Sequence, residues 1–203
     1  SRAAFVAIVG RPNVGKSTLL NCLLGEKLAI VSPRPQTTRS RLLGIKNLPG
    51  AQLALVDTPG LHRAGGEGRT LLNRFMIEEA HAALGDVDLV LLVTDAITLR
   101  ARPDKAGKPD SADKKSPLAA DIVEPRIPPE DLVIADLVAA SGRKVVVALN
   151  KIDQVGDKRA VLPVIAAWSA HPGITTVVPI CAKTGDGVDE LLDELCAVCP
   201  EGP

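Results

Sequence analysis

Apolar residues in this chain follow two alternating patterns, and the alternation predicts the fold. Short continuous runs, among them FVAIV (Phe5–Val9), LVLLV (Leu89–Val93) and VVVAL (Val145–Leu149), are separated by longer segments in which apolar positions recur every three to four residues. A short unbroken run suits a strand covered on both faces, and the intervening period suits helices packed on those faces. The pattern predicts strands near residues 4–9, 41–47, 51–56, 87–94, 145–150 and 175–180, with helices near 16–25, 70–83, 130–141, 158–169 and 187–198. The expected fold is α/β: a doubly wound, six-stranded, mostly parallel sheet flanked by about five helices. Only Leu48–Gly50 joins the second run to the third, which is too short for a crossover, so one edge strand should be antiparallel.

The segment near 100–129, RARPDKAGKPDSADKKSPLAADIVEPRIPP, breaks the pattern. Rich in Pro, Lys and Asp and poor in apolar periodicity, it reads as a flexible insertion within one domain spanning 1–203, because it cannot bury enough surface to offset its ordering entropy. Lys plus Arg and Asp plus Glu both number 24, so no global charge draws the chain to nucleic acid or anionic lipid. With aromatic residues at 1%, base-stacking platforms are excluded and the core must rest on Leu, Val, Ile and Ala. The apolar runs are too short to span a bilayer and the N-terminus lacks signal-peptide shape, which reads as a cytoplasmic protein. The 4 cysteines read as reduced thiols, since CAVC (Cys196–Cys199) has no second ligand pair at metal-binding distance.

GRPNVGKST (Gly10–Thr18) stands between the first strand and the first helix and matches GxxxxGK[ST], the P-loop of nucleoside triphosphatases. In that setting the backbone N–H groups of Asn13, Val14, Gly15, Lys16 and Ser17 turn inward on phosphate oxygens. Lys16 reaches the β- and γ-phosphates, Ser17 binds Mg²⁺ and Thr18 contacts the α-phosphate. NKID (Asn150–Asp153) follows a later strand and selects the base. The Asp153 carboxylate accepts from both N1–H and N2–H of guanine, groups that adenine lacks there, while Asn150 ties the base site to the phosphate loop and the Lys151 stem lies over the ring. CAK (Cys181, Ala182, Lys183) after the last strand supplies the third base contact, an N–H of Ala182 aimed at O6, with Cys181 where Ser is more usual. VDTPGLHR (Val56–Arg63) and RPQTTRSR (Arg34–Arg41) complete the set. Asp57 holds Mg²⁺ through water, the Gly60 N–H senses the γ-phosphate, and Thr38, with Thr37 as the alternative, brings a hydroxyl to the metal.

Taken together, GRPNVGKSTLLN, PQTTR, DTPGLH, LLNRFM and NKID resemble the Era family of bacterial GTPases over nearly the whole chain except the insertion. The resemblance implies a GTP-binding and GTP-hydrolysing switch that binds GTP or GDP with Mg²⁺. It also implies a role in assembly of the small ribosomal subunit and 16S rRNA maturation, peripheral membrane association, and a monomer. It implies further that 199–203 begins a linker to a C-terminal KH domain, absent from this sequence, through which most of the rRNA contact would run. Leu61 replaces the water-orienting glutamine of many GTPases. In Era-like proteins a hydrophobic residue is usual there, and an Asn at the place of Asn13 helps to bind K⁺ beside the phosphates, which makes Asn13, Lys16, Thr38 and Gly60 the catalytic candidates. His62 is the competing proton acceptor. Two other functions fit the P-loop: a nucleotide-gated binding module with negligible hydrolysis, and an ATP-using enzyme, which NKID and CAK disfavour.

Overall fold

A computed structural model describes residues 2–25, 41–57, 84–97, 127–156 and 158–201. The expected helix near 70–83, nearly all of the insertion, and Thr37, Thr38, Gly60, Leu61 and His62 lie outside the described residues. Six strands form one sheet: β1 (Arg2–Val9), β2 (Arg41–Leu48), β3 (Ala51–Asp57), β4 (Leu89–Asp95), β5 (Lys144–Asn150) and β6 (Ile174–Pro179). Their order is β2-β3-β1-β4-β5-β6. The edge strand β2 runs antiparallel to β3, with Leu48 facing Ala51 across the turn, and every other pairing is parallel. The hairpin logic of the Leu48–Gly50 connection therefore holds, and so does the six-stranded α/β prediction.

Among the described residues there are four helices: α1 (Lys16–Leu24), α2 (Pro129–Ala140), α3 (Val161–Ser169) and α4 (Val188–Val198). The third begins later than its apolar period suggests, after a separate 3₁₀ turn at Lys158–Ala160. Pro163 accounts for the shift, since a residue without an N–H sits best within the first helical turn and would break a helix already under way. Period-two alternation in the central strands feeds two cores. On one face Val6, Ile8, Leu91, Val93, Val146 and Ala148 pack under Leu19 and Leu23 of α1 and Leu191 and Leu195 of α4. On the other Ala7, Val9, Val90, Leu92, Val147 and Leu149 pack under Ile134 and Val138 of α2 and Val164 and Trp168 of α3.

The end of the sheet away from the phosphate loop is closed by polar side chains. Arg2 donates from Nη1 to Cys196 O at 3.0 Å and Lys144 Nζ to Val198 O at 3.4 Å, giving the last turn of α4 partners that its own helix cannot supply. All four cysteines are unbridged. Burial pushes the Cys196 and Cys199 thiols above their ordinary pKa. Among the described residues no helix is long and apolar enough to cross a membrane.

In a parallel sheet, loops at the carboxyl ends of the strands gather on one edge, where ligands are bound. Here that edge carries Gly10–Gly15 after β1, Lys151–Gly156 after β5 and Ile180–Gly187 after β6. The segments bearing GRPNVGKST, NKID and CAK are therefore neighbours in space.

Candidate functional site

Between β1 and α1 the chain reverses through a loop whose glycines are required by geometry. A Cβ on Gly10 (φ +151°) would stand 2.3 Å from the Val93 carbonyl oxygen of the adjacent strand, and one on Gly15 (φ +103°) 2.2 Å from Asn150 Nδ2. Asn13 is left-handed at φ 65°, a conformation its short polar side chain tolerates better than most. Val14 is fully buried and pins the loop to the core. Lys16 Nζ donates to the carbonyl oxygens of Gly10 and Arg11, both at 2.6 Å, so the ammonium is held against the loop. No side chain caps the start of α1, and Ser17 and Thr18 in its first turn are exposed. The first-turn N–H groups are thus available to an anion, as the helix dipole favours.

Asn150 joins the three loops. It is 3% exposed; its Nδ2 donates to Val14 O at 2.9 Å and its Oδ1 accepts from Ala182 N at 2.9 Å. Lys151, left-handed at φ 63°, donates from Nζ to Asn13 O at 2.6 Å and lies 3.6 Å from Asp95 Oδ2. Asp153 sits exposed on the 3₁₀ turn Ile152–Gln154. Around this junction opens a cleft of about 360 Å³. It is lined by Gly15 and Thr18 from the first loop, Asn150, Lys151, Asp153 and Gln154 after β5, and Cys181 and Lys183 after β6. A cleft of that size suits a small-molecule ligand.

Every lining residue except Gln154 was singled out by sequence. Ala182, the central residue of CAK, has a partner within the protein. It is buried and its N–H points at Asn150 Oδ1, because that amide oxygen needs a donor once Nδ2 is committed to Val14. Any contact it makes to a ligand must share that hydrogen bond. Asp57 ends β3 with its Cα paired to Ile8, one strand from the start of the phosphate loop.

Sequence reasoning missed Asp131, Thr94, Asp95 and Arg11. Asp131 is fully buried in the first turn of α2, where its carboxylate receives Arg11 Nε at 2.6 Å, Arg11 Nη2 at 3.1 Å and Thr94 Oγ1 at 2.7 Å. The hydrogen bond to Asp131 raises the Arg11 pKa against the opposing effect of burial. An acid in a helix's first turn ordinarily reads as a partner of the helix dipole, so the sequence held no signal that this one is interior. His171 Nε2 lies 3.0 Å from Asp136 Oδ1 on α2.

Asn150→Ala would strip partners from Val14 O and Ala182 N in a buried place. The expected loss is about 3 kcal/mol of stability, read as a lower urea midpoint with unchanged slope. Fluorescence of Trp168, fully buried and the single tryptophan, reports the transition. An unchanged midpoint would show that the bridge contributes nothing.

A sequence profile described as 50S ribosome-binding GTPase matches residues 5–151. GTPase Era of Geobacter metallireducens is 42% identical over 202 residues, covering 100% of this chain and 57% of that protein. GTPase Era of Syntrophus aciditrophicus is 41% identical, covering 100% of this chain and 56% of its own. The chain thus spans a little over half the length of these curated relatives. Among solved structures, a variant of Aquifex aeolicus Era bound to GDP and AlF4⁻ superposes with a TM-score of 0.67 at 35% identity, covering 100% of this chain and 59% of that one. Era in complex with MgGDPNP and nucleotides 1506–1542 of 16S ribosomal RNA gives 0.65 at 32% identity, covering 100% and 58%.

Proposed function

The chain belongs to the 50S ribosome-binding GTPase family, and from that premise we propose that it is a guanine-nucleotide switch that hydrolyses GTP and acts in assembly of the small ribosomal subunit. The observation that carries this reading is the junction at Asn150, which ties a phosphate-loop carbonyl to the loop after β6 beside a cleft lined by Asp153. Asp153 takes the two guanine donors. The loop at Cys181–Lys183 faces O6, with the Ala182 N–H shared with Asn150. Lys16 and the first-turn N–H groups of α1 hold the β- and γ-phosphates, and Thr18 the α-phosphate.

Ser17 in the first turn of α1 and Asp57 at the end of β3 carry the oxygen donors that Mg²⁺ takes, with Thr38 as the third protein group by resemblance. Mg²⁺ held there would supply positive charge against the nucleotide's phosphates. Asn13, exposed on the rim of the loop, fits a monovalent cation through its side-chain oxygen. Potassium at that place would stabilise charge developing between the same phosphates, as an arginine finger does. Leu61 then has no chemical part, and the Gly60 N–H and Thr38 respond to the γ-phosphate. The Era structure with 16S ribosomal RNA supports a ribosomal partner for this chain as well.

Single-turnover GTP hydrolysis in matched sodium and potassium buffers tests this reading. The expected result is Mg²⁺-dependent hydrolysis at least about tenfold faster in potassium. Equal rates in the two salts would remove the potassium assignment, and no hydrolysis in either would leave a nucleotide-gated binding module instead.

A further inference from the structure

We propose that Asp131 is a positioning residue for phosphate binding, acting with Thr94 through Arg11 to hold the backbone carbonyls that orient Lys16. The inference rests on the nucleotide reading above. Arg11 is the second residue of the phosphate loop, and an arginine there invites the view that it touches phosphate itself. Its fork is instead occupied by Asp131, with Nε at 2.6 Å and Nη2 at 3.1 Å on the two carboxylate oxygens. Asp131 has no exposed surface, and the second of those oxygens also accepts from Thr94 Oγ1 at 2.7 Å. A guanidinium engaged by two parallel hydrogen bonds is fixed in direction as well as in place.

That fixation reaches the chemistry in one step. The Arg11 carbonyl, with that of Gly10, accepts from Lys16 Nζ at 2.6 Å, so the backbone of the clamped residue is the seat of the phosphate-binding ammonium. The far side of the loop is held in the same manner. Asp95, next in β4 after Thr94, lies 3.6 Å from Lys151 Nζ, which donates to Asn13 O. The last two residues of β4 thus bear on both flanks of the loop, Thr94 by a hydroxyl on the Asp131 carboxylate and Asp95 by its own carboxylate near Lys151. A buried ion pair adds little net stability compared with an apolar pair of the same shape, so its use here is orientation of the loop.

The test replaces the clamp by apolar groups of similar size, R11M with T94V and D131L, and measures GDP and GMP binding by titration calorimetry. GMP lacks the β-phosphate that Lys16 addresses, so a lost orientation weakens GDP selectively, whereas general loosening weakens both alike. The expected result is a cooperative melt like that of the parent, a GDP dissociation constant at least about tenfold higher, and GMP affinity within about twofold of the parent. Equal GDP affinity in variant and parent, or equal loss for both nucleotides, would overturn the proposal. Should the triple variant not fold, T94V alone removes one hydrogen bond. It is expected to lower the GDP-to-GMP affinity ratio about threefold, and an unchanged ratio overturns the proposal equally. A parent chain that binds no guanine nucleotide would refute the nucleotide reading itself, a result distinct from either of these.

Discussion

Gly15→Ala is expected to reduce GDP affinity by about 10² to 10⁴. A Cβ at this position would lie 2.2 Å from Asn150 Nδ2, and the φ of +103° is one that an alanine rarely adopts. The backbone strain alone costs about 1–2 kcal/mol. Asn150 must also withdraw, which breaks its hydrogen bonds to Val14 O and Ala182 N. Each buried group left without a partner adds about 1–3 kcal/mol. The total of about 3–8 kcal/mol falls on the junction between the phosphate loop and the base loops, at the proposed nucleotide site; with about 1.4 kcal/mol to a factor of ten, the lower part of that range gives the expected loss. Calorimetric titration with GDP checks the effect, and affinity equal to that of the parent chain would mean that the junction does not shape the site.

Asp153→Asn is expected to cost guanine about 10² to 10⁴ in affinity with no change in unfolding midpoint. Asp153 is exposed on the turn after β5 and lines the cleft, so its carboxylate has no packing role to lose. Two charge-assisted hydrogen bonds to the guanine N1–H and N2–H disappear at about 1.5–3 kcal/mol each, and the new amide sets a donor against a donor. Xanthine, whose position 2 is a carbonyl, should regain part of the loss, because an amide offers it one donor beside one acceptor. Parallel titrations with GDP and xanthosine diphosphate check both statements. A variant that still prefers GDP would show that another group reads the base.

The layered architecture was legible because both faces of β1, β4 and β5 are covered, which forces unbroken apolar runs, and because Leu48–Gly50 leaves room only for a hairpin. The glycines and Lys16 of the phosphate loop were legible for a related reason: backbone pressed against Val93 O and Asn150 Nδ2 excludes any side chain, leaving a mark in the sequence. The clamp was not legible. Arg11 occupies a variable position of GxxxxGK[ST], and Asp131 comes 120 residues later in a helix whose opening acids, Glu130 and Asp131, look alike. Only packing distinguishes them, sending one to water and one to the interior. The orientation of the Ala182 N–H was hidden too, since it follows from where Asn150 spends its two amide atoms, and a tetrapeptide pattern does not contain that choice.

The central claim is that three separated loops form one guanine-selective site around Asn150. Competition of GDP and ADP for the parent chain, by displacement of a fluorescent guanine nucleotide in Mg²⁺ buffer, tests it most directly. The account predicts that GDP displaces the probe at least about 10⁴-fold more effectively than ADP; displacement by ADP at comparable concentrations would contradict it.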